Sequence, residues 1–382
     1  MEKIYLDNAA TSWPKPEAVY AAVDHFNRNI GGNPGRGTTN FALTPASMVL
    51  ETRELLAQLF NISDPLRISF TLNITEALNV ALKGSLQPGD HLIISSMEHN
   101  AVVRPAFALV ELGLEITVIP CNPEGLFDTK ALVKAIKKNT KMVGLLQASN
   151  VTGTIQPIVE VGQVCRERGI LFLVDSAQSA GVLPIDVERQ LIDILAFTGH
   201  KGLLGPQGTG GIYVRPGIDV RPLKQGGTGS QSHDTKQPRC MPDCLESGTL
   251  NTPGIIGLGA GVSFLLEQGI DRIRFHEQNL TEILWENIKK INGVKMYGPA
   301  AVQDRTAVLS FTIGEMDSAQ ISFRLEREFG IVTRAGLHCT PLAHRTIGTL
   351  QLGTCRLSPG FFNTEGEMEA VIRAIATLAK KA

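Results

Sequence analysis

The chain has 382 residues, of which 43% are hydrophobic and 19% charged, with a formal net charge of −1. That near-neutral balance gives no reason to expect nucleic-acid binding, and no run of about 18 uncharged apolar residues marks a membrane span. Six cysteines (121, 165, 240, 244, 339 and 355) in so long a chain do not make a disulfide framework.

Residues 1–15 read as an extended N-terminal arm with apolar Ile4-Tyr5-Leu6, and Met1 to Asp7 lacks a signal-peptide core, so a cytoplasmic protein is expected. Pro14 and Pro16 open a helix from Glu17 to about Asn29. Gly31-Gly-Asn-Pro-Gly-Arg-Gly37 is a glycine-rich loop carrying Arg36. It has no strand directly before it and no Gly-Lys-Ser/Thr ending, so it is neither a dinucleotide fingerprint nor a P-loop.

From residue 44 to about 215, helical and strand patterns alternate. Short apolar strands are expected at 67–70, 91–95, 115–120, 142–147, 170–175, 193–197 and 211–214, between helices at 44–60, 75–84, 99–112, 128–138 and 157–168. Continuous apolar strands between helices predict a mostly parallel sheet covered on both faces. The strand at 211–214 follows its predecessor too closely for a helical crossover and is expected to run antiparallel. Residues 216–256 are irregular. One long helix at 257–291 is expected to lead into an α+β unit. The expected domains are therefore 16–256, a link at 257–294, and a small C-terminal domain at 295–382. In that unit, strands are expected at 306–312 and 354–358, helices at 317–329 and 364–380, and a loop at 334–349.

Ligands of such sheets bind at the carboxyl ends of the strands. Five expected strand ends carry polar residues: Thr71-Leu-Asn-Ile-Thr75, Ser96-Met-Glu-His99-Asn100, Ala148-Ser-Asn150, Asp175-Ser-Ala-Gln178 and Thr198-Gly-His-Lys201. Lys201 is followed by a loop with glycines at 202, 205, 208, 210 and 211. Desolvation there would lower its ammonium pKa and make the amine nucleophilic; the bland alternative is a solvated loop lysine. Thr75 opens a helix whose N-terminus suits a phosphate, or merely caps it. Asp175 ends an apolar strand, and a buried carboxylate there needs a cation such as a protonated pyridine. His99 can stack on an aromatic ring or move protons, or be a plain surface histidine. Cys240 and Cys244 have loosely metal-like spacing, and two incidental thiols are the simpler reading.

Together with Tyr5-Leu-Asp-Asn-Ala-Ala10, Asn73-Ile-Thr-Glu-Ala-Leu-Asn79, Glu246-x-Gly-Thr249-x-Asn251, Arg334-Ala-Gly-Leu-His-Cys339 and Arg356-x-Ser-x-x-x-x-Asn363, these motifs resemble the fold-type I pyridoxal-phosphate enzymes of the class V aminotransferase group. Within it, the chain is similar to the cysteine desulfurase and selenocysteine lyase branch. The resemblance implies a large domain with a mostly parallel seven-stranded sheet and a smaller α+β domain. It also implies that Lys201 holds pyridoxal 5′-phosphate as a Schiff base and later moves protons. Asp175 would pair the pyridine nitrogen, Gln178 the ring hydroxyl, and His99 would stack on the ring. Thr75, Thr198 and His200 would lie around the phosphate, joined by Thr249 from the partner subunit of a homodimer. Asn150 would orient the cofactor ring or the substrate carboxylate, and Asn8 and Arg356 would hold the substrate, with Arg356 clamping its carboxylate. Ile74 stands where relatives often carry a second Thr.

Cys339 would take sulfur from L-cysteine as a persulfide, leaving L-alanine, with Arg334, His338 and His344 favouring its thiolate if they are close in space. The resemblance further implies a dedicated sulfur-acceptor protein. L-Selenocysteine is an equivalent substrate on this reading. Another class V enzyme with Cys339 incidental, and a cofactor-free sulfur-transfer scaffold, are the other readings.

Overall fold

The structure is a computed structural model that describes residues 3–35, 39–231 and 233–381. Arg36 and Gly37 of the glycine-rich loop lie outside the described residues. In the first half, β1 (Ile4–Tyr5) and α1 (Glu17–His25) precede α2 (Asn40–Phe60), β2 (Ile68–Thr71), α3 (Ile74–Ser85) and β3 (His91–Ser95). Then come α4 (Asn100–Val110), β4 (Glu115–Ile119), α5 (Thr129–Ala135), β5 (Thr140–Leu146), α6 (Ile158–Arg168), β6 (Leu171–Asp175), β7 (Ile194–Thr198) and β8 (Gly210–Val214). Sheet order is β2-β8-β7-β6-β5-β3-β4, seven strands as expected. Pairing is parallel throughout except on either side of β8, which runs against both β7 and β2. The carboxyl ends of β2, β3, β5, β6 and β7 therefore share one edge.

Alternation along the strands explains the two-faced core. Phe172 and Val174 of β6 and Leu195 and Phe197 of β7 pack with Leu56 and Phe60 of α2 and Leu258 of α7 (Thr252–Gln268). Their neighbours Leu173, Ile194 and Ala196 point the other way, against Leu78 of α3 and Val102 of α4. Successive side chains on a strand face opposite sides, and both sides are dry here, so the strands read as unbroken apolar runs.

The single long helix expected at 257–291 is two helices. Gly269 (φ +81°) breaks it into α7 and α8 (Ile270–Ile288), bent by 83°. Glycine takes this left-handed backbone without a Cβ clash. No single helix among the described residues is long and apolar enough to cross a membrane.

The small unit adds β9 (Val294–Tyr297), β10 (Leu309–Ile313), α9 (Ser318–Phe329), β11 (Ile331–Val332), β12 (Arg334–Gly336), α10 (Pro341–Thr346), β13 (Thr354–Leu357) and α11 (Glu365–Ala379). Its antiparallel sheet runs β12-β13-β10-β9. The segment expected as a plain loop, 334–349, thus carries a three-residue strand and one short helix, both too brief to leave a periodic pattern. The N-terminal arm joins this unit: β1 pairs with β11, and Leu6 is buried with Phe311 and Leu357. That pairing returns Asp7 and Asn8 to the edge of the large sheet.

Candidate active site

The strand edge gathers the polar residues. Asp175 ends β6, is 4% exposed, and accepts a hydrogen bond from the Ala177 N–H at 2.9 Å. Among the described residues it makes no ion pair within 4 Å, and burial raises its pKa, with Lys201 opposing the rise. Lys201 follows β7. Burial lowers its ammonium pKa to about 8; Asp175 opposes this, and Arg356 and Arg334 reinforce it. The solvated-lysine reading is thereby set aside: this amine is desolvated and close to neutral at moderately alkaline pH.

His99 caps α4, where its Nδ1 accepts from the Ala101 N–H at 3.0 Å. Burial first, then Lys201 and Arg334, pulls its pKa to about 4, so the ring is neutral. Thr198 is buried at the end of β7. His200 is held neutral in the same way, at about 4, and its buried Nδ1 has no hydrogen-bond partner. Its carbonyl accepts from the Ser12 N–H at 2.9 Å and from Thr11 Oγ1 at 3.1 Å, which ties the N-terminal arm to the lysine loop.

Asn73, rather than Thr75, caps α3, accepting from the Glu76 N–H at 3.0 Å. Thr75 stands exposed in the first turn, beside N–H groups that a helix start leaves unpaired. Gly210 brings β8 against this turn: a Cβ there would lie 2.8 Å from the Asn73 carbonyl carbon.

Arg356 of β13 is 1% exposed. Its Nη2 donates to Asp7 Oδ1 at 2.7 Å and its Nη1 to the Asn150 carbonyl at 3.0 Å, while Nε is buried without a partner. Asn150 donates to the His338 carbonyl at 2.8 Å and accepts from Thr340 Oγ1 at 2.9 Å. Asn8 is engaged with the small unit, donating to the Ser358 carbonyl at 2.9 Å. Gln178 donates to the Ala9 carbonyl at 2.9 Å. Thr249 is exposed and lies apart from the Lys201 cluster, on a surface cleft with Thr71, Glu76 and Lys224.

Cys339 is exposed on a tight turn in which both His338 (φ +48°) and Cys339 (φ +59°) are left-handed. Its carbonyl accepts from the Asn100 N–H at 2.9 Å, which pins it beside His99. Arg334 Nη2 reaches its sulfur at 3.8 Å. The two histidines do not act as expected. Burial pulls His338 to about 2 and His344 to about 4, and both bond threonine hydroxyls, Thr354 and Thr349. They are neutral structural groups, and the cation at the thiol is Arg334. Cys355 is wholly buried and its pKa is pushed up to about 12, which leaves it inert.

Residues 4–371 match the family described as aminotransferase class-V. The chain belongs to the class-V aminotransferase family. A "probable cysteine desulfurase" of Methanothermobacter thermautotrophicus is 33% identical over 99% of this chain and 95% of its own. A cysteine desulfurase of Serratia proteamaculans is 31% identical over 98% of this chain and 93% of its own. The apo structure of a cysteine desulfurase from Thermococcus onnurineus NA1 superposes with a TM-score of 0.94, at 30% identity, covering 100% of this chain and 95% of that one. These relatives put the chain in the cysteine desulfurase branch of the class-V family.

That family implies pyridoxal phosphate, and the site fits it. Among the described residues the buried Asp175 makes no ion pair within 4 Å, His200 Nδ1 has no partner, and Gly210 brings β8 against the N-terminus of α3. Sequence reasoning did not single out Asp7 as the counter-ion of Arg356, nor Glu98. Glu98 is fully buried behind Asp175, accepts from Ser95 Oγ at 2.5 Å and the Leu146 N–H at 3.1 Å, and is pushed up to about 8 by burial. The Asp-Asn pair in the N-terminal motif was the available signal for Asp7. For Glu98 it was a carboxylate directly before His99 in the polar stretch that follows β3.

Proposed function

We propose that the chain is a cytoplasmic, homodimeric cysteine desulfurase that uses pyridoxal 5′-phosphate to convert L-cysteine to L-alanine, with sulfur passing to Cys339. The observation that carries this is the tether of Cys339: its backbone is bonded to Asn100, next to His99, and its sulfur faces Arg334.

Lys201 would hold the cofactor, Asp175 its ring nitrogen, Gln178 its hydroxyl, and Thr75, Thr198 and His200 its phosphate side, with Thr249 of a second copy completing that side. Bound there, pyridoxal phosphate supplies an electron sink for the substrate's carbon–sulfur bond. The chain's own groups do the rest. Arg356 and Asn150 orient the substrate carboxylate. The neutral His99 would supply a stacking partner for the cofactor ring. The Cys339 thiolate attacks the substrate sulfur, the carbon–sulfur bond breaks, and the bond's electron pair is left with the organic fragment. Lys201 then returns a proton to the β-carbon, giving alanine and a Cys339 persulfide, which a sulfur-acceptor protein or a reducing thiol discharges.

Brief exposure to L-cysteine followed by mass spectrometry tests the proposal. One added sulfur on the peptide carrying Cys339, with alanine released in equal amount, is the expected result. Alanine formation that persists in Cys339→Ala would instead favour a class V enzyme in which this thiol is incidental.

A further inference from the structure

Between the lysine loop and the small unit lies a cavity of about 630 Å³, open mouth included. It shares Asn8, Gln178 and Lys201 with the site above; its other walls are mostly apolar, among them Leu204, Leu265, Ile273 and Val308, interrupted by the hydroxyls of Ser12, Thr306 and Ser358. One acidic side chain lines it: Glu277 of α8, 9% exposed. Among the described residues, the Glu277 carboxyl makes no hydrogen bond and no ion pair within 4 Å, although Arg274 on the same helix acts on it from further off and opposes the effect of burial. A carboxyl taken out of water without a partner is costly, and burial pushes this one up to about 8. Nothing in the desulfuration chemistry uses it. Phe361 and Phe362 stand on the same wall, edge to face, with ring centroids 5.3 Å apart.

We propose that this cavity is a binding site for a small organic ammonium ion, with Glu277 as counter-ion and Phe361 and Phe362 as the aromatic walls. Charge and lining select that class. Above about pH 8 the ionised Glu277 opposes anions, and below it a bound cation draws the proton off the carboxyl. A hydrated divalent metal needs about six oxygen ligands, and apolar walls do not provide them. An alkylammonium ion suits both parts, since its charge pairs with the carboxyl and its C–H surface packs on aliphatic and aromatic faces. No step of the desulfurase chemistry involves Glu277, although the cavity borders the cofactor site through Lys201 and Gln178.

The test is calorimetric titration of the holoenzyme with tetramethylammonium, which has no N–H and cannot condense with the cofactor. Tert-butanol serves as the uncharged match. Saturable binding of one cation per chain, absent for tert-butanol and weakened about tenfold in Glu277→Gln, with the visible cofactor absorbance unchanged, is expected. Unsaturable heats, or wild-type affinity in Glu277→Gln, would overturn the site. Should Glu277→Gln fail to fold, Phe362→Ala decides at a 40% exposed ring: a several-fold loss of affinity supports the site, and none rejects it.

Discussion

Arg356 and Asp7, at opposite ends of the sequence, form an ion pair at 2.7 Å, with Arg356 almost wholly enclosed. Removing one partner of a buried pair leaves the other charge uncompensated, at a cost of about 3 kcal/mol. Asp7→Asn should therefore lower the urea midpoint clearly. It should also raise KM for cysteine, because the guanidinium that orients the substrate loses its own anchor. Unchanged stability would mean that Arg356 finds compensation elsewhere.

Among the described residues, Cys339 is the thiol placed beside Arg334 and His99. Cys339→Ala should reduce alanine and sulfide production about a thousandfold or more and leave the visible cofactor absorbance intact. Cys355→Ala, at a fully buried position on β13, should keep the activity and lose only stability, read by thermal melting.

Lys201 has its ammonium pKa lowered to about 8, and only the neutral amine can condense with an aldehyde. When the apo chain is reconstituted, the rate should rise about tenfold per pH unit below 8 and level off above it. Stopped-flow absorbance checks this. A rate still climbing steeply at pH 10 would show a solvated lysine.

Five histidines are shifted toward the neutral form in the fold: His99, His200 and His344 near 4, His338 near 2, and His91, which burial also pulls down. Each folded pKa lies below the unfolded value of 6.5, so the unfolded chain binds more protons between the two values. Their contribution to stability is complete above about 6.5 and is lost as pH falls toward 4. Glu98 and Glu277, both raised to about 8, act in the opposite sense, so the urea midpoint should drop across that window by less than the histidines alone would give. His344→Gln, which removes one of the five, should make the drop shallower by about 1–2 kcal/mol.

Gly210 lets β8 approach the start of α3 so closely that a methyl group would strike the Asn73 backbone. Gly210→Ala should displace this helix N-terminus and weaken pyridoxal phosphate binding about tenfold, measured by fluorescence titration, while far-UV circular dichroism stays near wild type.

The seven strands, their covering helices and the polar strand ends were legible in the sequence, because each depends on near neighbours. Apolar runs of strand length, glycine clusters and single polar residues after them are local signals. Lys201, Asp175 and His99 were visible in this way, each as a polar residue where an apolar strand stops. The bend at Gly269 was not, since a glycine within a helical pattern is tolerated as often as it breaks the helix, and here the choice lay with α7 packing on the large unit and α8 on the small one. Only the tertiary structure paired Arg356 with Asp7, set Arg334 against Cys339, and buried His338 and His344 as neutral groups. Residue type fixes which charges a chain can carry. Which of them are kept depends on burial and on partners hundreds of residues away, and those come into being only when the chain closes on itself.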